Sequence, residues 1–323
     1  MPTSIPSFAK INIGLKIGPP RADGFHELRT IYQTIALHDV IKVGLQRGSG
    51  IEIRCKDPRV PMDASNTCYR VAERMMRALK GRGKVIIWVE KQLPVQGGLG
   101  AASSNAVATM LALERELGTS LSAEEQLRIA AEVGSDVPLF LIGGTVLGVD
   151  RGQEVYALQD LPSMHTVVVT PAIGVSTPQA FADWDALVAR EAELTHAGAA
   201  GTIKQFGSVV YTWLSKGFLS TGVPAEGGDR AETQLLDLVR AGIENDFERV
   251  VFPEHPELRE AKRLLEREGA SYASLSGSGS TLYGLFASAE EAQTAAERII
   301  AAGYSAVATT TLTREAYWTE LAG

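Results

Sequence analysis

From Lys10 onward polar and apolar residues alternate. Ile11, Ile13, Leu15 and Ile17 point one way and Lys10, Asn12, Gly14 and Lys16 the other, the period of two that a strand imposes. Lys10 and Asn12 therefore share a face. Pro19, Pro20 and Asp23-Gly24 punctuate the turn that follows. Strands are predicted at 30–37, 40–46 and 51–55, then a helix from Asn66 to Leu79. The β-branched run KVIIWVEKQ reads as a strand, and SSNAVATMLALERELG reads as a helix closed by Gly118. Ser122 and Glu125 stand at capping-box spacing, as do Ser288 and Glu291, so each pair opens a helix. GSDVPLFLIGGTVLGVDRG leads into strands, and HTVVVTPAIGVST and YSAVATTTLT read as further ones, with a helix at 256–268. Residues 186–245 have the weakest pattern and read as helix fragments joined by flexible, glycine-rich loops.

Helix and strand signals alternate throughout, which makes the class α+β or α/β. A chain of 323 residues exceeds what one core usually serves, and the pattern places a domain boundary near residue 160. Net charge is −7, a poor match for nucleic acid or an anionic membrane, so any phosphate must be met locally. The N-terminal stretch lacks a signal peptide's apolar block, and no run reaches about 18 apolar residues. Two cysteines, Cys55 and Cys68, make no disulfide framework, and Cys68 reads as a core residue of its helix. The expectation is a reduced, soluble, cytoplasmic protein without a metal-ligand cluster.

Chemistry concentrates in LPVQGGLGAASSN at 93–105, where Gly97, Gly98 and Gly100 lie between a strand and a helix. The lysine of a Walker A loop and the third glycine of a dinucleotide fingerprint are both missing. Glycines let backbone approach a ligand closely, and the free N–H groups at a helix start favour an anion. Ser103 and Ser104 add hydroxyls for a phosphate oxygen or Mg²⁺. A second stretch, SLSGSGSTLYGLF, holds Gly277, Ser278 and Gly279 before a strand. A hairpin or bulge uses the same residues, but beside the first loop they suggest two backbone surfaces closing on one polyanion. Asp136, followed by Val137, Pro138, Leu139 and Phe140, would be partly desolvated, which favours its neutral form unless a cation stands by. Alone it reads as a turn aspartate, and Lys10 as a solvated strand-edge lysine. Together they suggest a base for a hydroxyl proton and the cation that keeps it ionised.

These stretches, with SFAKINIGL at 7–15, resemble the three motifs of the GHMP kinases. RADGFHEL, GSDVPLF and GVSTPQAF are similar to the branch whose substrate is a cytidine diphosphate ester of a branched polyol. The resemblance implies a two-domain α+β kinase. Residues 1–160 would form an ATP-binding domain like domain 2 of ribosomal protein S5, and residues 161–323 a ferredoxin-like, substrate-binding domain. It implies ATP-dependent phosphorylation of the polyol's 2-hydroxyl, with Mg²⁺, by a monomer or homodimer acting on a small molecule. Lys10 and Asp136 match the catalytic pair. Asn66 and the segment Pro94, Val95, Gln96, Gly97, Gly98, Leu99, Gly100, Ala101, Ala102, Ser103 and Ser104 match the ATP site, with Ser104 the candidate metal ligand. Asn12, Thr177, Gly277, Ser278 and Gly279 join Lys10 and Asp136 around the substrate. Phe25 and Phe181 match two rings that sandwich the cytosine, and His26 a residue that bonds it. Phe25 stands where tyrosine is common, and Ala101 and Ala102 where glycines are. The link at 186–245 is longer than usual. The alternatives are a homoserine- or mevalonate-type kinase of the same family, or a nucleotide-binding regulator without catalysis.

Overall fold

The computed structural model of the chain describes residues 1–95, 97–195 and 243–322. The glycine-rich loops expected between 196 and 242 lie outside the described residues, whereas 186–195 complete a helix. The first sheet contains β1 (Thr3–Pro20), β2 (His26–Gln46), β3 (Ile51–Cys55), β4 (Lys84–Glu90), β5 (Thr145–Val149) and β6 (Glu154–Ala157). Its order is β3-β4-β2-β5-β6, with β1 also paired to β2. β2 is long enough to serve three neighbours: β1 along one edge, β5 opposite residues 30–33 and β4 opposite residues 40–46.

The two strands predicted at 30–37 and 40–46 are therefore one. The pairing of Ala9 with Ile35 but Phe8 with His38 leaves extra residues on β2, a bulge that bends the strand without ending it. The helix α1 (Thr67–Ala78) lies within the predicted span, and Asn66 caps it by accepting from Cys68 N. α2 (Ala101–Leu117) starts two residues before the predicted Ser103, because Gly100 takes the capping position at φ 69°. α3 (Ala123–Val133) is capped by Ser122. The three helices bury Val71, Met75, Val107, Met110, Leu113 and Ile129 against Ile5, Phe8 and Val43 of the sheet.

The second sheet holds β7 (His165–Val169), β8 (Tyr272–Leu275), β9 (Leu282–Phe286) and β10 (Ala306–Thr310), in the order β10-β7-β9-β8. Every neighbouring pair is antiparallel. The helices α4 (Thr177–Thr195), α5 (Glu248–Glu254) and α6 (Pro256–Arg267) lie between β7 and β8, and α7 (Ala289–Ala301) between β9 and β10. This is the ferredoxin-like succession βαββαβ, in spatial order four-one-three-two. The sequence pattern missed α5, the first turns of α4, and the last helix α8 (Arg314–Ala322). α8 carries Tyr317 and Leu321 back into the core of the first sheet.

β1 is buried on both faces. Ile11 and Ile13 pack with Leu99, Val168, Tyr283 and Leu285 between the two sheets, while Leu15 and Ile17 join the core of the second. The polar face is buried as well, since Lys10 and Asn12 are 2% and 1% exposed. Residues 243–247 run alongside β1. Leu15 N donates to Glu244 O, Asp246 N to Leu15 O, and Ile17 N to the Asp246 carboxylate, which also accepts from Lys16 Nζ at 2.8 Å. Gly14 makes this approach possible, because a Cβ there would lie 2.2 Å from Ile243 Cγ1. Gly14→Ala is expected to lower stability by about 1–3 kcal/mol through overpacking, read from the urea midpoint. Adding Ile243→Ala should lessen the effect of the glycine change, which a double-mutant cycle measures directly.

Candidate active site

Two pockets meet at the glycine loop after β4. One, of about 360 Å³, is lined by Asn66, Thr67, Lys91, Pro94, Val95, Gly97 to Ser103 and Asn105, together with Arg59 to Pro61. The other, of about 690 Å³, is lined by Lys10, Asn12, Phe25, His26, Tyr32, Asp136, Arg151, Thr177, Phe181, Asp185, Gly277 and Ser278, among others. Gly98 and Gly100 border both, so the loop is the wall between them. A larger, more open groove of about 1130 Å³ beside β3 and β4 includes neither glycine loop.

The wall is built by backbone contact. A Cβ on Gly98 would lie 2.2 Å from Ser276 O, and one on Gly279 2.8 Å from Gly97 C. Ser276 Oγ donates to Gly98 O at 3.0 Å, and Thr281 N to Gly97 O at 3.2 Å. The two glycine stretches thus touch each other as well as facing the pockets. Gly98 holds φ +85° and Gly277 φ +64°, the left-handed region that side chains disfavour.

Lys10 is fastened to this wall. Its Nζ donates to Gly98 O at 2.8 Å and to Asn12 Oδ1 at 2.7 Å, and its own N–H donates to Leu99 O. Nζ stands 3.8 Å from Asp136 Oδ2, a charge contact rather than a hydrogen bond. The Asp136 side chain is 35% exposed and faces the larger pocket. Burial pulls the Lys10 pKa below the usual lysine value, and the Asp136 charge opposes that fall. The sequence pattern missed Tyr32. Its hydroxyl donates to Asp136 Oδ1 at 2.9 Å, and burial together with the Asp136 charge keeps the phenol protonated far up the pH scale. It lies on the same face of β2 as His26 and Leu28, and no motif marks that position.

Other supports also escaped the sequence. Asp39, fully buried in β2, accepts from Gln92 N and Leu93 N at 2.8 Å and from Asn105 and Lys91 side chains, which fixes the entry to the glycine loop. Asn245 donates from Nδ2 to both Leu275 O and Gly277 O at 2.8 Å, which holds the second glycine loop to the segment beside β1.

Most predicted residues reach the cleft, with differences in detail. Ser104 does not: its hydroxyl is 2% exposed and accepts from Ser7 Oγ at 2.8 Å, because the helix turns it toward β1. Ser103, one residue earlier, lines the smaller pocket instead. Asn66 borders that pocket, but its side chain is occupied by Cys68 N and Pro61 O. Gln96 lies outside the described residues. Gly279 serves the loop contact rather than the pocket lining, and Thr177 Oγ1 meets Ser278 Oγ at 2.7 Å. Phe25 and Phe181 both border the larger pocket, though neither ring is bare. The Arg151 guanidinium lies 4.8 Å from the Phe25 centroid, and the His26 ring stacks on Phe181 at 4.9 Å and 15°.

The larger pocket thus holds a lysine–aspartate pair against a wall of glycine loops, the setting in which the sequence resembles the GHMP kinases. The GHMP kinases N terminal domain family matches residues 66–144, and the GHMP kinases C terminal family residues 231–305. A protein of Solibacter usitatus named 4-diphosphocytidyl-2-C-methyl-D-erythritol kinase is 39% identical over 87% of this chain and 80% of its own length. One of Geobacter metallireducens with the same name is 35% identical over 90% of this chain and 92% of its own. A crystal structure of 4-(cytidine 5'-diphospho)-2C-methyl-D-erythritol kinase superimposes with a TM-score of 0.71 at 26% identity, covering 96% of this chain and 99% of that one. The chain belongs to the 4-diphosphocytidyl-2-C-methyl-D-erythritol kinase family of the GHMP kinases, and its two-domain α+β fold is theirs.

Gly98→Ala should push the two glycine loops apart. The expected result is a loss of ATP-analogue affinity on the order of 10-fold or more, equivalent to about 1.4 kcal/mol, by calorimetry on a protein with unchanged circular dichroism.

Proposed function

We propose that the chain transfers the γ-phosphoryl group of ATP to the 2-hydroxyl of 4-diphosphocytidyl-2-C-methyl-D-erythritol, giving the 2-phosphate and ADP. The step belongs to the non-mevalonate route to isoprenoid precursors. The observation that carries this reading is the shared wall: Gly98 and Gly100 border both pockets, and Lys10, which donates to Gly98 O, lines the larger one beside Asp136. A triphosphate in the smaller pocket and an alcohol in the larger would confront each other there.

Asp136 takes the hydroxyl proton as the alcohol oxygen bonds to the γ-phosphorus and the bond to the β-phosphate oxygen breaks, releasing ADP. Tyr32 occupies Oδ1 of Asp136, which leaves Oδ2 for the proton. Lys10 balances negative charge at the junction, and the amides of the glycine loop hold phosphate oxygens, so catalysis is mainly positioning and electrostatics. Mg²⁺ suits this cleft as a companion of the triphosphate, since that ion keeps water and phosphate oxygens as most of its ligands. The hydroxyl of Ser103 is the oxygen the loop offers it. Phe25, Phe181 and His26 line the part of the larger pocket suited to a planar base.

The reading places the enzyme in the cytoplasm, as a monomer or homodimer without nucleic-acid or membrane partners. Among the described residues, no helix is long and apolar enough to cross a membrane.

Purified protein with Mg-ATP should release ADP with 4-diphosphocytidyl-2-C-methyl-D-erythritol and not with homoserine or mevalonate. Turnover with one of the small alcohols alone would overturn the substrate assignment. Asp136→Asn should lower kcat by about 10²–10⁴-fold with the fold intact.

The lowered pKa of Lys10 has a sign that can be tested. Lys10 loses its proton as pH rises, so activity should fall on an alkaline limb centred below the usual lysine value of about 10.4. Lys10→Arg should move that limb upward in the pH–kcat profile, whatever the residual rate. A limb at the same pH in both proteins would assign it to another group.

A further inference from the structure

The far wall of the larger pocket holds a pair of groups that the transfer step does not use. His26 opens β2 and is 8% exposed, and its Nε2 lies 2.7 Å from Oδ1 of Asp185 in α4. The ring lies flat on Phe181, and Phe181 is in turn packed edge-on against Phe247 at 5.0 Å and 81°. Stacked on one side and hydrogen-bonded at one corner, the imidazole has a set orientation, so its two nitrogens have unequal roles. Both His26 and Asp185 border the pocket together with Phe25.

An ionised carboxylate only accepts hydrogen bonds, so the nitrogen facing Asp185 must carry a proton. In the neutral ring that leaves Nδ1 as a bare acceptor. Among the described residues Asp185 is the hydrogen-bond partner shown for the ring, so Nδ1 is available to a ligand. Cytosine presents an amino donor at N4, where uracil presents a carbonyl acceptor at O4. An acceptor in the wall can take the first and opposes the second. Sites built to bond a donor discriminate strongly against an analogue that lacks it, because their own polar group is then left unpaired.

We propose that Asp185 is a specificity-determining residue: by holding the His26 proton on Nε2 it keeps Nδ1 as an acceptor that selects cytosine over uracil. The proposal rests on the reading of the larger pocket as a cytidine site. It makes Asp185, a half-exposed carboxylate on the pocket lining, a positioning residue that acts through His26.

The test uses the intact protein with the ATP pocket filled by a non-hydrolysable ATP analogue, and calorimetry with CDP and UDP as probes. Wild type should bind CDP tighter than UDP by on the order of 10-fold or more. Asp185→Ala should bring that ratio close to one, chiefly through weaker CDP binding, while affinity for the ATP analogue stays unchanged. Because Asp185 is half exposed, the variant should fold, and a purely structural role would weaken CDP and UDP alike. Nitrogen NMR of the His26 ring adds an independent signature: Nδ1 unprotonated in wild type, and a mixture of tautomers in the variant. A CDP-to-UDP ratio unchanged in Asp185→Ala, or a protonated Nδ1 in wild type, would overturn the role given to Asp185 while leaving the cytidine site standing. A wild type that binds CDP no better than UDP would instead overturn the cytidine reading, and the role of Asp185 with it.

Discussion

Two stretches of backbone pressed together, Gly97–Gly98 against Ser276–Gly279, are the constraint on which the rest of the cleft depends. Each comes from a different sheet, so their contact fixes where one half of the molecule stands relative to the other. Side chains cannot intervene, because a Cβ on either strand of the contact would collide with main chain. The carbonyl of Gly98 then becomes a fixed acceptor, and both Ser276 Oγ and Lys10 Nζ converge on it. Lys10 is held in place chiefly by a backbone oxygen and Asn12, and its distance from Asp136 follows from that anchorage. Such placement uses groups with little conformational freedom, which is how a site can be kept organised before substrate arrives.

The sequence pattern was most legible where local rules decide. Ser122 and Ser288 cap the helices they were expected to cap, because a cap depends only on its neighbours within a turn. The shared face of Lys10 and Asn12 follows from strand geometry alone, and their direct bond bears it out. The setting of the glycine loop between a strand and a helix was legible for the same reason. Its register was not: Gly100 rather than a serine begins α2, and so Ser104 turns inward to Ser7 while Ser103 faces the pocket. A shift of one residue on a helix is about 100°, enough to exchange a core position for a cleft position.

What the pattern could not show is tertiary. Tyr32, Asp39 and Asn245 each act on a partner 30 residues away or more, and nothing in their own neighbourhoods distinguishes them from ordinary strand or loop residues. Phe25 and Phe181 were placed through resemblance to a family. The structure adds that Arg151 and the His26 ring already lie against them, so neither ring presents a bare face to the pocket. α8 went unread because it lacks a strong apolar stripe, although Tyr317 bonds Phe140 O and Trp318 bonds Ile142 O just beyond Asp136.

The double burial of β1 has a consequence for how the molecule comes together. Its side chains belong to three apolar clusters at once, and its Lys16 finds Asp246 across 230 positions of chain. A strand with such distant obligations cannot settle until both halves of the polypeptide have been made and brought near, so loop closure over long spans precedes much of the stabilisation. The fold is for that reason poorly suited to dissection. A fragment ending between the sheets would retain β1 yet leave Ile11, Ile13, Leu15 and Ile17 without the surfaces that cover them, a sticky strand in place of a domain.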